Sequence, residues 1–139
     1  MNFTRKASAE WKGGGKDGKG TISTGSGVLD KAQYSFGTRF ENGKGTNPEE
    51  LIGAAHAGCY TMQLSFLLGE AGYTPDNLNT EAQVTFKDGE IVKVALELVG
   101  TVPGISENEF SDISKKAKEV CPVSKLLDTE ITLKSTLKN

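Results

Sequence analysis

The two cysteines, the one histidine and Arg39 are the residues whose types and spacing could carry chemistry in this chain. Cys59 lies inside a long apolar stretch, and Cys121 directly precedes Pro122. His56 stands three residues before Cys59, so on a helix the two share a face. It could activate the thiol, or it could be a packed core histidine. Neither CxxC nor HxxxH occurs, and three soft ligands far apart in sequence make a weak case for zinc. Taken alone, the cysteines also read as small buried hydrophobes. Their surroundings favour more, because both fall where backbone geometry is constrained. Such a dithiol suits attack by one thiolate and resolution by the other. That chemistry needs a cation to bring a thiol down from its ordinary value of about 8.5. Arg39 is the candidate, since Ser35 and Gly37 beside it are small and leave room.

The element that must position Cys59 is TNPEELIGAAHAGCYTMQLSFLLGE, residues 46–70. Thr46 or Asn47 can cap a helix there. Pro48 suits its first position, and Glu49 and Glu50 fall where the helix dipole favours negative charge. Leu51–Leu68 carries no formal charge and is apolar on nearly every face, the pattern of a buried helix. Gly72 is a candidate C-cap, with Pro75 beyond. The stretch is long enough to raise a membrane span. Its Gly53, His56, Gly58, Thr61, Gln63 and Ser65, its flanking glutamates and its missing aromatic belts argue against one.

Around this helix the chain alternates as strands do. Phe3–Trp11 reads as a half-buried strand, Thr21–Val28 as a second and Tyr34–Phe40 as a third, with Tyr34, Phe36, Thr38 and Phe40 on one face. Between the first two, Gly13, Gly18 and Lys19 nearly make a P-loop. Gly20 replaces the magnesium-binding hydroxyl and a strand follows, so Lys12–Gly20 reads as a hairpin loop, with phosphate binding as a weaker alternative. Thr80–Phe86 and Ile91–Val102 form a hairpin about Asp88-Gly89. Ser106 and Glu109 make a capping box for a helix with Phe110, Ile113, Ala117 and Val120 at helical spacing. That helix meets Cys121-Pro122, where a kink or a new helical turn is expected. Ile131, Leu133, Ser135 and Leu137 alternate in a last strand. The order βββ-α-ββ-α-β argues an α+β fold with antiparallel sheet.

The 139 residues favour one domain spanning 1–139. A net charge of −2 with mixed signs offers no footprint for nucleic acid or an anionic membrane. MNFTRKASAEW lacks the apolar core of a signal peptide, which points to the cytoplasm, where two cysteines are more often free or redox-active than a structural staple.

TRFENGKGTNPEELIGAAHAGC (38–59), EAGYTPDNL (70–78), TVPGI (101–105) and KAKEVCPVS (116–124) resemble the OsmC/Ohr family, and within it the OsmC branch. The match covers essentially the whole chain. The resemblance implies an intertwined homodimer with active sites at the subunit interface. It implies a thiol-dependent peroxidase acting on organic hydroperoxides, reduced by an external thiol, in oxidative and osmotic stress defence. No cofactor and no metal are implied. By motif, Cys59 becomes the peroxidatic cysteine, Cys121 the resolving one, and Arg39 and Glu49 the residues that orient and ionise Cys59. The order Arg39, Glu49, Cys59 matches the OsmC branch; the Ohr branch takes its arginine from an earlier segment. A competing reading is a non-enzymatic dimer that binds an apolar small molecule in the same interfacial pocket.

Helix geometry sharpens the expectation. Ten residues separate Glu49 from Cys59, about 15 Å along an unbroken helix. Either Glu49 and Arg39 serve the thiol of a partner chain, or the helix breaks near Gly53. The first is expected.

Overall fold

The computed structural model describes residues 1–139. The elements run β1 (Ala7–Lys12), β2 (Lys19–Thr24), β3 (Ala32–Tyr34), α1 (Phe36–Phe40), α2 (Pro48–Glu70), β4 (Asn77–Lys87), β5 (Glu90–Thr101), α3 (Glu107–Val120), α4 (Pro122–Leu126) and β6 (Glu130–Leu137). The chain divides into two units, Met1–Leu51 and Ile52–Asn139, taken in turn.

The first unit is an antiparallel sheet in the order β1-β2-β3 followed by α1. Gly20 pairs with Trp11 on one side and Tyr34 on the other. A Cβ on Gly20 would come within 2.4 Å of the Tyr34 ring and 2.5 Å of the Trp11 ring. The glycine is what lets those rings close to 5.3 Å between centroids. The glycine-rich segment therefore runs into strand β2, and the helix that a P-loop requires is absent at that place.

Tyr34–Phe40 departs from the expected strand. Only Tyr34 belongs to one, and Phe36–Phe40 is helix α1. Ser35 caps it. Its hydroxyl accepts from the Thr38 amide at 3.2 Å, and the Thr38 hydroxyl accepts from the Ser35 amide at 2.8 Å. This is a capping box with threonine in the place usually held by Glu or Gln. Phe36 and Phe40, four apart on the helix, bring their rings to 5.0 Å. An alternation of only seven residues cannot outweigh two orphan amides satisfied at once.

Helix α2 starts as its sequence suggests. The Asn47 side chain accepts from the Glu50 amide at 2.8 Å, with Pro48 next in line. The helix then continues unbroken to Glu70 in the second unit, so the break considered near Gly53 does not occur. Its end is a Schellman motif. Gly72 takes φ +92, its amide donates to the Gly69 carbonyl, and the Tyr73 amide donates to the Leu68 carbonyl.

In the second unit, β4 and β5 pair antiparallel around Asp88 (φ 50) and Gly89 (φ 83), the two positive values a type I′ turn needs. The order is β4-β5-β6, and β6 runs parallel to β5. The expected antiparallel pairing holds for β1-β2, β2-β3 and β4-β5, and the parallel β5-β6 pair makes the second sheet a mixed one. Helices α3 and α4 lie between β5 and β6, and a crossover of that kind returns the chain to the end from which β5 began. Strand alternation reads the same in either direction, so the pattern of β6 carried no sign of it.

The core of this unit joins Tyr60, Leu64 and Leu68 of α2, Val94, Leu96 and Leu98 of β5, Phe110 and Ala117 of α3, and Cys121. The Phe110 ring lies against Gly100, where a Cβ would meet it at 2.8 Å. The expected buried helix is buried along a single stripe: Gly53, His56, Tyr60, Leu64 and Leu68, spaced three or four apart. Away from that stripe, Met62 and Phe66 stand 64% and 63% exposed.

Candidate active site

Pro122 sets the position of Cys121. A residue before proline is driven out of the helical region, and Cys121 sits at φ −59, ψ 123 between α3 and α4. Its amide still donates to the Ala117 carbonyl, closing α3, and its carbonyl accepts from the Lys125 amide, opening α4. The side chain is fully buried in the core.

Cys59, in the middle of α2, is half-buried. Its sulfur lies 3.0 Å from that of Cys121, and both thiols are free. Closing that gap to the covalent S–S length of about 2.05 Å needs a shift of about 1 Å. Burial pushes the Cys59 thiol up from its ordinary pKa, and the neighbouring Cys121 thiol adds to this. A hydrogen bond from the Val123 backbone N–H acts in the opposite sense. Within its own unit, then, Cys59 is in contact with Cys121, and burial disfavours its thiolate.

His56 is fully buried on the same face of α2. Its Nε2 lies 2.8 Å from the Ser124 hydroxyl, and Nδ1 is buried with no hydrogen-bond partner in the chain. Burial lowers its pKa. A proton on Nε2 donates to Ser124 and leaves only a lone pair on Nδ1, so no N–H is stranded. The histidine is thus bonded to Ser124, on the α4 side of the dithiol. The serine and the Val123 amide had no prominence in the sequence. The available signal was symmetry of spacing, with His56 three residues before one cysteine and Ser124 three after the other.

Arg39 and Glu49 meet in the first unit. Arg39 Nε and Nη2 lie 2.9 and 2.8 Å from the same carboxylate oxygen, Oε1 of Glu49. The two nitrogens thus share one carboxylate oxygen, a two-to-one contact, and Glu49 Oε2 is buried without a hydrogen-bond partner. Arg39 is the fourth residue of α1, and Glu49 the second of α2. Its strand-face neighbours Ser35 and Gly37 turn out to be the cap and first turn of a helix. Beside the pair a cleft of about 250 Å³ is walled by Trp11, Tyr34, Phe36 and Phe40, with Arg39 at its edge. No group of three or more His, Cys, Asp and Glu side chains is arranged to hold a metal ion.

The four residues thus fall into two pairs: a thiol pair in the second unit and a guanidinium–carboxylate pair in the first. Fold and site together define a small protein of mixed α and β structure built around a dithiol. Residues 41–136 match the family model described as OsmC-like protein, and the chain belongs to that family. It is 52% identical over 143 aligned positions to peroxiredoxin OsmC of Escherichia coli (strain K12), covering 100% of both chains. The crystal structure of the organic hydroperoxide resistance protein OhrB of Bacillus subtilis is similar at a TM-score of 0.68 and 27% identity, over 98% of each chain. An OsmC-like protein from Mycoplasma pneumoniae matches over 100% of each chain with a TM-score of 0.79 at 15% identity, a likeness of fold alone.

Proposed function

We propose that this chain, acting as one OsmC-like domain over residues 1–139, is a cysteine-based peroxidase that reduces organic hydroperoxides to alcohols. The observation that carries the reading is the pair of reduced sulfurs 3.0 Å apart at the core of the second unit. The Cys59 thiolate attacks the outer oxygen of ROOH. The O–O bond breaks, and the alkoxide leaves and takes a proton as ROH. Cys59 is left as a sulfenic acid. The Cys121 thiol then attacks that sulfur, water leaves, and a disulfide forms. An external thiol supplies two electrons and two protons to restore both cysteines.

The thiolate is generated at the interface of a homodimer. The unbroken α2 puts Glu49 about 15 Å along the helix from Cys59 of the same chain. Arg39, held by Glu49, is instead supplied by the partner subunit, where its charge favours the thiolate. The aromatic walls of the cleft beside Arg39 suit an alkyl group. The protein works in the cytoplasm in defence against oxidative and osmotic stress. This reading draws support from the peroxiredoxin and hydroperoxide-resistance proteins to which the chain is similar.

The test is intact-mass analysis after one equivalent of an alkyl hydroperoxide. A loss of two hydrogens mapped to Cys59 and Cys121, with one equivalent of alcohol released, is the expected result. A chain that stays fully reduced while the hydroperoxide persists would refute the peroxidase reading. That is the outcome expected of a protein that only binds an apolar molecule.

A further inference from the structure

The Cys59–Cys121 contact does not stand alone. One helical turn earlier on α2, His56 reaches Ser124, and Ser124 lies one turn beyond Cys121 on α4. Two rungs therefore join the same two segments, one through sulfur and one through a hydrogen bond. Helix α4 is five residues long and has no fully buried residue. Val123 and Leu127 lie only partly buried against the core, so little apolar burial fixes it. Short helices of this length do not persist on their own in water. What holds α4 on α2 is the buried Cys121 at its start and the His56–Ser124 bond at its middle. A hydrogen bond buried on the histidine side is stronger than one in water and costly to leave unmade.

We infer that His56 and Ser124 are positioning residues that clamp α4 onto α2 and so keep Cys121 within reach of Cys59 during resolution. The inference rests on the assignment of Cys59 and Cys121 as attacking and resolving thiols. Resolution is an intramolecular reaction, and its rate follows the effective concentration of one sulfur at the other. With the clamp made, Cys121 waits in contact. With the clamp lost, α4 samples positions from which the sulfenic acid of Cys59 is out of reach. That intermediate then lives long enough to meet a second hydroperoxide and pass to sulfinic acid, which the disulfide route avoids.

The test compares wild type, Ser124→Ala, Ser124→Thr and His56→Gln in the full-length chain. The first measurement is the equilibrium of the Cys59–Cys121 disulfide against a dithiothreitol redox buffer, which requires no peroxidase activity. Where loss of the bond frees α4 in the reduced chain while the disulfide holds it in the oxidised one, the equilibrium constant should fall by up to about fivefold in Ser124→Ala. Ser124→Thr, which keeps the hydroxyl, should restore it. The second measurement is the partition of oxidised chain between disulfide and sulfinic acid as alkyl hydroperoxide is raised. It should shift toward sulfinic acid in Ser124→Ala and return in Ser124→Thr. A purely structural role would lower Tm and leave both readouts alone. A Ser124→Ala disulfide equilibrium matching wild type overturns the clamp, whatever happens to His56→Gln, which alone risks misfolding. The peroxidase reading fails separately, if wild type is inert to hydroperoxide while its disulfide equilibrium still responds to Ser124.

Discussion

Cys59 and Cys121, 62 residues apart in sequence, meet with their sulfurs 3.0 Å apart, one in mid-helix and the other pinned between two helices by Pro122. A contact of this separation costs chain entropy to form. It lies inside a core of α2, β5 and α3 residues that meets this cost through apolar burial.

The division of labour between the two sulfurs is open to direct trial. Cys59→Ser should lose peroxidase turnover to the uncatalysed background. Cys121→Ser should consume one equivalent of hydroperoxide per chain and then stall, with a sulfenic acid trapped by dimedone. Substrate consumption and mass spectrometry on the same samples decide it. Continued turnover by Cys59→Ser would be incompatible with the proposed mechanism.

The proposed supply of Arg39 across a two-fold interface can be tested by complementation. At neutral pH, Arg39→Ala and Cys59→Ser are each expected to be nearly inactive. Mixed under exchange conditions, they form heterodimers in which one site pairs an intact Cys59 with an intact Arg39. Random exchange should recover about one quarter of wild-type activity. If Arg39 serves the thiol of its own chain, the mixture stays as dead as its parents.

The pH dependence of that variant follows from the environment of Cys59. Burial and the Cys121 thiol push its pKa up. Without the arginine, the reactive thiolate is scarce at neutral pH and grows about tenfold per pH unit until the raised pKa is reached, above the ordinary thiol value of about 8.5. Single-turnover oxidation of Arg39→Ala should show that climb, while wild type should be nearly flat from about pH 7 upward. Parallel profiles would mean that Arg39 does not ionise Cys59.

Met62 and Phe66 sit four residues apart on the open side of α2 and are both mostly exposed. Large apolar side chains at helical spacing on a free face suit an interface between copies. Phe66→Glu places an unpaired charge there, at a cost of about 3 kcal/mol or more, and should weaken the proposed dimer about 100-fold or more. Sedimentation velocity over a concentration series reads this directly. An unchanged dimer would place the interface elsewhere.

His56 should leave its mark on acid stability. Burial depresses its pKa, so the folded chain favours the neutral ring. The stability this contributes is complete above the unfolded value of about 6.5 and is lost as pH falls through the depressed folded value. Thermal unfolding between about pH 8 and pH 5 should show Tm falling below about 6.5 in wild type, with a shallower fall in His56→Gln. Equal slopes would exclude His56 as the source.

Much of this architecture was legible from local chemistry. Asn47-Pro48-Glu49-Glu50 announced the start of α2, Gly72 its end, Asp88-Gly89 the hairpin, and Cys121-Pro122 a break between helices. In each case a few adjacent residues satisfy or forbid a backbone conformation, and nothing distant is needed. Ser106 shows the boundary of that kind of inference. Its hydroxyl caps the Glu109 amide as expected, yet the Glu109 carboxylate accepts the Tyr73 hydroxyl, a partner 36 residues away, in place of closing the box. The parallel course of β6, the single buried stripe of α2, the two-to-one contact of Arg39 with Glu49 and the bond from His56 to Ser124 are likewise matters of packing. Side-chain periodicity states that a face is apolar but not what covers it. It gives a strand's faces but not its direction. A residue's type names the bonds it can make, and only the meeting of α2 with α4 selected which of them His56 makes and brought the two sulfurs into contact.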